Sequence, residues 1–429
     1  MSDSSQNILN ASLLISLLIM RNIKIGIKKY FLLLKLICGG IIRSVYMFLC
    51  VRPQQLVKLV FHPEFYTSPT YYPEYPERLR SHWSQFWNQV GEILRFGRIN
   101  TLYYLCGYDV KTREEQKKYV HYNTFMRRRE KLNMSVEDNC ACILRDKLYF
   151  SVFTEGIGLK EPNTLFYTLN GELYDFRTKA KTTADAILAL GDCQLFCKPL
   201  DGQCGRGIFL LQVKEGKMVV IEKEVHKNDA IKTIEKEMDA KGLKEYCSGG
   251  RYLIQAFVKQ HPAMSGLHPQ SVNTIRLLTV RSLKDGQIHV MPSILRIGTG
   301  DSIVDNTSQG GLAVGIDIET GYLKQYGFYK PDFGYDVEEN GVVTARFKEN
   351  EHPDSHIRFA DFQIPYFQEV LRQAKYYHEM MPSLHSIGWD IAIGEDGPIF
   401  IEGNDNWEIT GPQTCNGGLR KEFEEYFVE

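Results

Sequence analysis

At 429 residues, 43% hydrophobic and 12% aromatic, the chain can bury large cores, and two to four domains are expected. Its formal charge of −1 hides an asymmetry: residues 1–60 hold eight Lys or Arg against one acid, Asp3, leaving 43 bases against 51 acids elsewhere. This composition excludes a disordered or fibrous chain and a globally basic nucleic-acid binder.

The N-terminus reads as the least globular part. Ile8 to Met20 is apolar but shorter than the roughly 20 residues of a bilayer span, and Tyr30 to Val51 is interrupted by Lys35 and Arg43. No basic region precedes the first apolar run, so a signal peptide does not fit. Lys24, Lys28, Lys29, Lys35, Arg43, Arg52 and Lys58 suit a helix lying on an anionic membrane surface. A helical layer packed on the protein itself suits them equally, and residues 1–58 are set apart as a basic apolar segment.

Between Leu79 and Leu94, apolar residues at Leu79, Trp83, Phe86, Trp87, Val90 and Leu94 follow the helical period, and this stripe is expected to face a core. Thr112–Leu132 reads as another helix, with Arg127, Arg128 and Arg129 on a solvated face or, alternatively, binding phosphate. Residues 59–139 thus read as a mostly helical region. The ten cysteines are scattered, and Cys140/Cys142 and Cys193/Cys197 lack the matching second pair of a tetrahedral zinc site, so reduced thiols are expected.

From Leu144 onward, strand-like and helix-like stretches alternate. "CQLFCKPLDGQCGRGIFLLQV" is an apolar strand ending in Lys198, a glycine-rich turn and a second apolar strand. Gly202, Gly205 and Gly207 can present consecutive backbone N–H groups, which suits a phosphate cradle with Lys198 as a point charge at its mouth. A plain hairpin turn reads the same way, and the β-like element after the glycines argues against a P-loop. "RYLIQAFVKQHPAM" is a further strand, followed by "SVNTIRLLTVRSLKDGQIHVMPSILRIG", two strands joined at Lys284-Asp285-Gly286. Arg276 and Arg296 lie on this hairpin amid apolar neighbours, where an unpaired guanidinium is costly. Each therefore faces a polar site or a structural ion pair. In "DNTSQGGLAVGIDIETG", Asn306, Gly310 and Gly311 mark a close backbone approach or a plain turn.

"GWDIAIGEDGPIFIEGNDNWE" places acids where a buried strand should have none. Its two strand-like runs flank Gly394-Glu395-Asp396-Gly397 and should pair as an antiparallel hairpin. Glu402 and Asn404 then share a face, and Asp390 lies opposite Glu402 to within one residue of register. Carboxylates this close repel unless one is protonated or a cation sits between them; magnesium suits such hard oxygen donors, and a metal-free general acid/base pair is the alternative.

Taken in order, these segments from about residue 140 to the C-terminus resemble the ATP-grasp superfamily, more narrowly its sugar-transfer associated family, with the α-L-glutamate ligases as more distant relatives. Asp390, Glu402 and Asn404, spaced D-x11-E-x-N, match the magnesium triad. "LRDKLYFSVFTEGIGLKEPNT" is similar to the segment that carries the first nucleotide lysine, here Lys147, and "FCKPLDGQCGRG" to the second lysine, Lys198, with its glycine-rich lid. "QHPAMSGLHPQSVNTIR" resembles the narrower family's signature, with Arg276 near the transferred phosphate, while Arg296 and "NTSQGG" with Asn306 resemble the arginine and loop of the glutamate ligases.

The resemblance implies an α+β fold, two α+β subdomains (140–255 and 256–429) clasping ATP, preceded by the helical region. It also implies ATP and Mg2+ as cofactors and ligase chemistry through an acyl phosphate. Small-molecule or lipid-linked sugar and carboxylate substrates are expected, in surface polysaccharide metabolism, in the cytoplasm or at the cytoplasmic face of the membrane, with no nucleic acid. Two departures stand out. The hinge acid that usually binds ribose is replaced by Gln255 and Ala256, leaving hinge backbone around Phe257 for adenine, and the Pro-Gly expected after Asn404 is replaced by "DNWE". A sugar kinase of the same fold and an inactive nucleotide-binding accessory protein remain as alternatives; a glycosyltransferase would need a D-x-D motif that the sequence lacks.

Overall fold

The computed structural model describes residues 45–134, 140–200, 207–224, 232–247, 250–330, 335–337, 343–345 and 347–428. Residues 1–44, with most of the basic apolar segment, and Gly202 and Gly205 of the glycine-rich turn lie outside the described residues. Contacts divide the chain into two units, one of Met1–Ser68 with Leu79–Thr101, the other of Pro69–Arg78 with Leu102–Glu429. No helix among the described residues is long and apolar enough to cross a membrane.

The first unit is built on helices α1 (Arg52–Phe61) and α2 (His82–Phe96). A π-helical turn, Met47–Val51, runs directly into α1, which carries proline in its first turn; the Ser81 side chain caps α2 by accepting from Ser84 N, and Gly97, at φ 82°, ends it. Leu59, Ile93 and Ile99 form the core. The fully buried face of α2 is Gln85, Gln89 and Ile93; of the expected stripe, Phe86 and Val90 pack partly buried against this core, while the rest is left outside. Gln89 explains the difference: its amide nitrogen donates to Phe65 O at 2.9 Å and Asn100 O at 3.1 Å, and its oxygen accepts from Asn100 N at 3.0 Å. Loop backbone needing partners is met by glutamine, as no apolar side chain could do. Trp83, Trp87 and Leu94, roughly 140° round the helix, are consequently 68%, 53% and 55% exposed.

In the second unit the expected helix from Thr112 to Leu132 is broken in two. A capping box between Thr112 and Glu115 starts the short turn Arg113–Gln116, and helix α3 (Tyr122–Asn133) begins afresh. Between them the backbone of Val120 is held on both sides by the Gln413 amide, at 3.1 and 3.2 Å. Arg128 and Arg129 are not on a solvated face: Arg128 Nε donates to Phe427 O at 2.6 Å, and Arg129, 5% exposed, donates to Trp407 O. Phe125 packs with Leu278, Val280, Met291, Trp407, Phe423 and Phe427, so residues from Leu102 onward pack with the second unit, and the contacts do not divide at residue 139.

Two short helices, α4 (Ala141–Arg145) and α5 (Lys147–Ile157), lead into an antiparallel sheet. Its strands are β1 (Thr164–Leu169), β2 (Glu172–Asp175), β3 (Lys181–Thr182), β4 (Cys193–Pro199), β5 (Phe209–Lys214), β6 (Lys217–Glu224), β7 (Lys232–Met238) and β8 (Tyr252–Ala256), in the order β3-β2-β1-β8-β4-β5-β6-β7. A second sheet uses β9 (Thr274–Arg281), β10 (Ile288–Ile297), β11 (Leu312–Ile316), β12 (Leu323–Phe328), β15 (Lys348–Glu349), β16 (Ser386–Gly394) and β17 (Gly397–Asn404), in the order β15-β12-β11-β10-β9-β16-β17. Strands β13 (Tyr335–Val337) and β14 (Val343–Ala345) pair as a separate ribbon.

Helix α6 (Phe367–Glu379) contributes Val370 and Ala374 to the core with Ile275, Leu277 and Ile391. Leu278, Val280 and Met291 pack instead with α3 and Phe423 of α8 (Arg420–Tyr426), and α7 (Thr410–Asn416) precedes that helix. With apolar partners for both residue sets, β16 is buried at every position, reading as a continuous apolar run rather than an alternating one.

Candidate active site

The hairpin β16–β17 pairs Asp390 with Glu402 directly, and a bulge follows, since Ile391 pairs with Phe400 and leaves Ile401 without a partner in the register. The Ile401 carbonyl instead accepts from Lys198 Nζ of β4 at 3.4 Å, reaching across to the other sheet. Lys147 arrives at the same place by a different route. Asp146 caps α5 by accepting from Leu148 N at 2.9 Å, and Lys147 N donates to Leu200 O at 3.0 Å, just past the end of β4. The Lys147 ammonium then lies 3.9 Å from Glu402 Oε2.

Asp390, 2% exposed, is held by two guanidiniums. Arg276 of β9 donates from Nε to Oδ1 at 2.5 Å and from Nη2 to Oδ2 at 3.0 Å, and Arg296 of β10 donates from Nη2 to Oδ2 at 3.0 Å. Arg296 is anchored in turn by the Thr274 hydroxyl at 2.6 Å and by Asp305 at 3.4 Å. The two arginines therefore sit in an ion-pair network that also lines a polar cleft, uniting the readings left open by the sequence.

The electrostatics separate the two facing carboxylates. Burial pushes Asp390 up, but Arg276 and Arg296 outweigh it and hold its carboxyl well below the usual range. Burial and the neighbouring Asp390 charge push Glu402 up. Burial also brings Lys198, 4% exposed, down to about 8.

The cleft has a volume of about 820 Å³ and draws its walls from both sheets: Lys147, Lys198 and Ile208 on one side, Arg276, Arg296, Asp390, Glu402 and Asn404 on the other, with Phe257 at the hinge. Gln255 is buried on this wall, but its amide nitrogen is engaged by Thr164 Oγ1 at 2.8 Å and Pro162 O at 3.4 Å, which ties β8 to β1. The Phe257 N–H donates to Gln194 O at 3.3 Å. Asn306 uses its side-chain oxygen to cap the turn Thr307–Gln309, accepting from Ser308 N at 3.0 Å. Gly207 has φ 72°, which accounts for glycine there without any ligand.

Sequence reasoning missed three parts of the site. Asp305 and Thr274 brace Arg296, and only the position of Asp305 next to Asn306 could have drawn notice. Arg145 clamps Asp405 at 2.6 Å, so the first acid of "DNWE" is structural. The cleft is also lined by Tyr122 of α3, Tyr329, Lys330, Trp407, Glu408 and Thr410. There Glu408 has Lys330 at 4.0 Å and the Tyr122 hydroxyl beside it.

A magnesium ion can be tested against these donors. No group of three or more His, Cys, Asp or Glu side chains that could hold a metal occurs among the described residues. The candidate set is instead two carboxylates and an amide: Asn404 Nδ2 donates to Gly388 O at 3.2 Å and to Glu402 Oε1 at 3.4 Å, which leaves its oxygen for another partner. Glu402 and the Asn404 oxygen are open to a divalent cation that would relieve the repulsion between Glu402 and Asp390, whereas both Asp390 oxygens already accept from Arg276 and Arg296 and would have to be shared with it.

The model of the sugar-transfer associated ATP-grasp family matches residues 127–425, most of the chain. The chain belongs to that family. This ATP-grasp chain has no match among curated proteins. Among solved structures it is similar to the ATP-grasp ligase PsnB complexed with minimal precursor, at 13% identity and a TM-score of 0.28, covering 64% of this chain and 59% of that one. It is also similar to D-alanine–D-alanine ligase from Bacillus anthracis, at 12% identity and TM-score 0.31, covering 66% and 65%. A third is N5-carboxyaminoimidazole ribonucleotide synthetase from Thermotoga maritima, at 12% and 0.29, covering 61% and 42%. The chain thus spans less than two thirds of the length of each.

Proposed function

We propose that this ATP-grasp chain is an ATP-dependent ligase that activates a carboxylate as an acyl phosphate and passes the acyl group to an amine or another nucleophile. The observation that carries this reading is the convergence of Lys147 and Lys198, from elements far apart in sequence, on Asp390 and Glu402 beside Arg276 and Arg296. Lys147 and Lys198 would hold the nucleotide phosphates, and Lys198, discharged in part by burial, regains its full charge when a polyanion arrives.

A carboxylate oxygen of the substrate attacks the γ-phosphorus, the bond to the ADP oxygen breaks, and the transferring group's charge falls to Arg276 and Arg296. The nucleophile then attacks the acyl carbon and inorganic phosphate leaves. Asp390, Glu402 and Asn404 would hold magnesium, which neutralises phosphate charge when bound. The part of the cleft lined by Tyr122, Tyr329, Trp407 and Thr410, with their hydroxyls and rings, suits an acceptor of sugar-like character, and Glu408 suits an ammonium. This lining supports a role in joining an amino acid or similar group to a sugar acid or amino sugar.

The test is calorimetry of Mg-ATP binding by the full chain and by Lys198→Ala and Glu402→Ala, followed by ADP release from a panel of sugar acids with hydroxylamine as trap. Magnesium-dependent binding weakened in both variants, with a hydroxamate product, supports the reading. A stable phosphorylated sugar without hydroxamate would replace it with kinase chemistry, and no binding by folded protein would leave an accessory role.

A further inference from the structure

The outer face of α2 is built the wrong way round for a helix that meets only water. It buries Gln85 and Gln89 and presents Trp83, Trp87 and Leu94 outward. The rings form one cluster: Trp83 stacks on Phe86 at 5.6 Å, and Trp83 and Trp87 meet edge to face at 5.5 Å. Around the same helices Phe48, Leu49, Val57, Val60 and Phe61 are also exposed, each by more than half. Exposed large apolar side chains in this number on one small unit mark a surface that works against an apolar partner.

The charge of the unit says which partner. The described residues of Met1–Ser68 and Leu79–Thr101 carry five bases, Arg52, Lys58, Arg80, Arg95 and Arg98, against Glu64 and Glu92, whereas Pro69–Arg78 and Leu102–Glu429 have 40 bases against 49 acids in sequence. Several of these cations sit directly on the rings: Arg52 lies over Phe48 at 5.8 Å, Lys58 over Phe65 at 5.1 Å and Arg95 over Phe96 at 5.0 Å. Arg52 Nε also donates to Leu94 O at 3.1 Å, which sets a cation at the end of the exposed stripe. Tryptophan with interspersed Lys and Arg is the composition of a surface that settles at the headgroup level of a bilayer. A protein partner would require no such positive excess.

We propose that the Trp83–Trp87–Leu94 face of α2 docks on the surface of an anionic lipid bilayer, the rings entering the headgroup boundary and the surrounding cations meeting lipid phosphates. This goes beyond the nucleotide site and does not rest on it. No helix among the described residues is long enough to span, so the association is peripheral for this part of the chain.

The molecule contains its own reporter. Of four tryptophans, Trp389 and Trp407 are 0% and 2% exposed, so a change of emission on adding lipid reports Trp83 and Trp87. The experiment titrates the full chain with phosphatidylcholine vesicles containing 30% phosphatidylglycerol, reading tryptophan emission and co-sedimentation, against pure phosphatidylcholine and 0.5 M salt. A blue shift with anionic vesicles is expected, reduced by salt. Trp83→Ser/Trp87→Ser should lose about tenfold or more in partitioning, and Arg95→Gln/Arg98→Gln about tenfold. Both variants should keep the wild-type melting temperature, since these side chains are exposed, and Trp83→Phe/Trp87→Phe should retain most binding. Equal sedimentation of Trp83→Ser/Trp87→Ser and wild type, equal binding to neutral vesicles, or no binding at all would overturn the proposal. Self-association in sedimentation velocity, abolished by the serine pair without vesicle binding, would assign the face to a second copy of the chain instead.

Discussion

Replacing Asp390 by alanine and Glu402 by glutamine should move stability in opposite directions, although the two carboxylates face each other across one hairpin. Asp390 accepts three guanidinium hydrogen bonds at 2.5, 3.0 and 3.0 Å while almost wholly buried. Removing one partner of such a buried ion pair costs about 3–5 kcal/mol, because the remaining charge stays in a poorly solvated place. Glu402, released from the Asp390 charge, would ionise more readily and take up part of the guanidinium charge, so the lower end, about 3 kcal/mol, is expected. For a unit of this size that is a fall in melting temperature of roughly 5 °C.

Glu402 is the reverse case. Its carboxyl is pushed up by burial and by Asp390, and a neutral amide keeps the shape while removing the repulsion, so Glu402→Gln should melt at or slightly above the wild-type temperature. The pH dependences differ in sign too. The Asp390 contribution is present above the usual carboxylate range and is lost as pH falls through its lowered value; that of Glu402 is present at low pH and is lost as pH rises through its raised value. The assay is a thermal melt with and without Mg-ATP, where saturating ligand at a hundredfold excess over Kd adds about 2.7 kcal/mol to the wild type and much less to Glu402→Gln. If Asp390→Ala melts within about 1 °C of wild type, the guanidinium clamp does not hold the site together and the reasoning fails.

Lys198→Ala should weaken Mg-ATP binding about 10–100-fold, the worth of a buried charged contact. Because burial brings Lys198 to about 8, wild-type affinity should decline as pH rises through that value, and this decline should vanish in the variant; calorimetry from pH 7 to 9.5 checks both. Gly388→Ala would place a Cβ 2.7 Å from Trp407 Cβ, and overpacking of about 1–3 kcal/mol should appear as a lowered melt. An unchanged melt would show that Trp407 can shift freely. Arg129→Ala removes the donor to the Trp407 carbonyl and should cost about 1–3 kcal/mol, with faster hydrogen exchange in α3; equal exchange would mean that α3 is held by its apolar contacts alone.

What the sequence determined by itself is the local pattern. Period-two spacing put Glu402 and Asn404 on one face, the glycine turn brought Asp390 to within one residue of Glu402, and Lys284-Asp285-Gly286 closed the β9–β10 hairpin, because each depends on residues a few positions apart; the bulge at Ile401 supplied the last residue of register. The order of those motifs also sufficed to indicate the family. Only the tertiary structure decided which cation meets which acid: Arg276 and Asp390 are neighbours because β9 lies beside β16, more than a hundred residues away, and Lys198 reaches β17 through a bulge at Ile401. It also decided which face of α2 is inside. The period locates an apolar stripe, but burial goes to the side that satisfies neighbouring backbone, and here Gln89 does so while two tryptophans are left outside. The same holds for Arg128 and Arg129, whose partners are carbonyls near the far end of the chain. Hydrogen-bonding demand of this kind is a property of the assembled backbone, and no local pattern carries it.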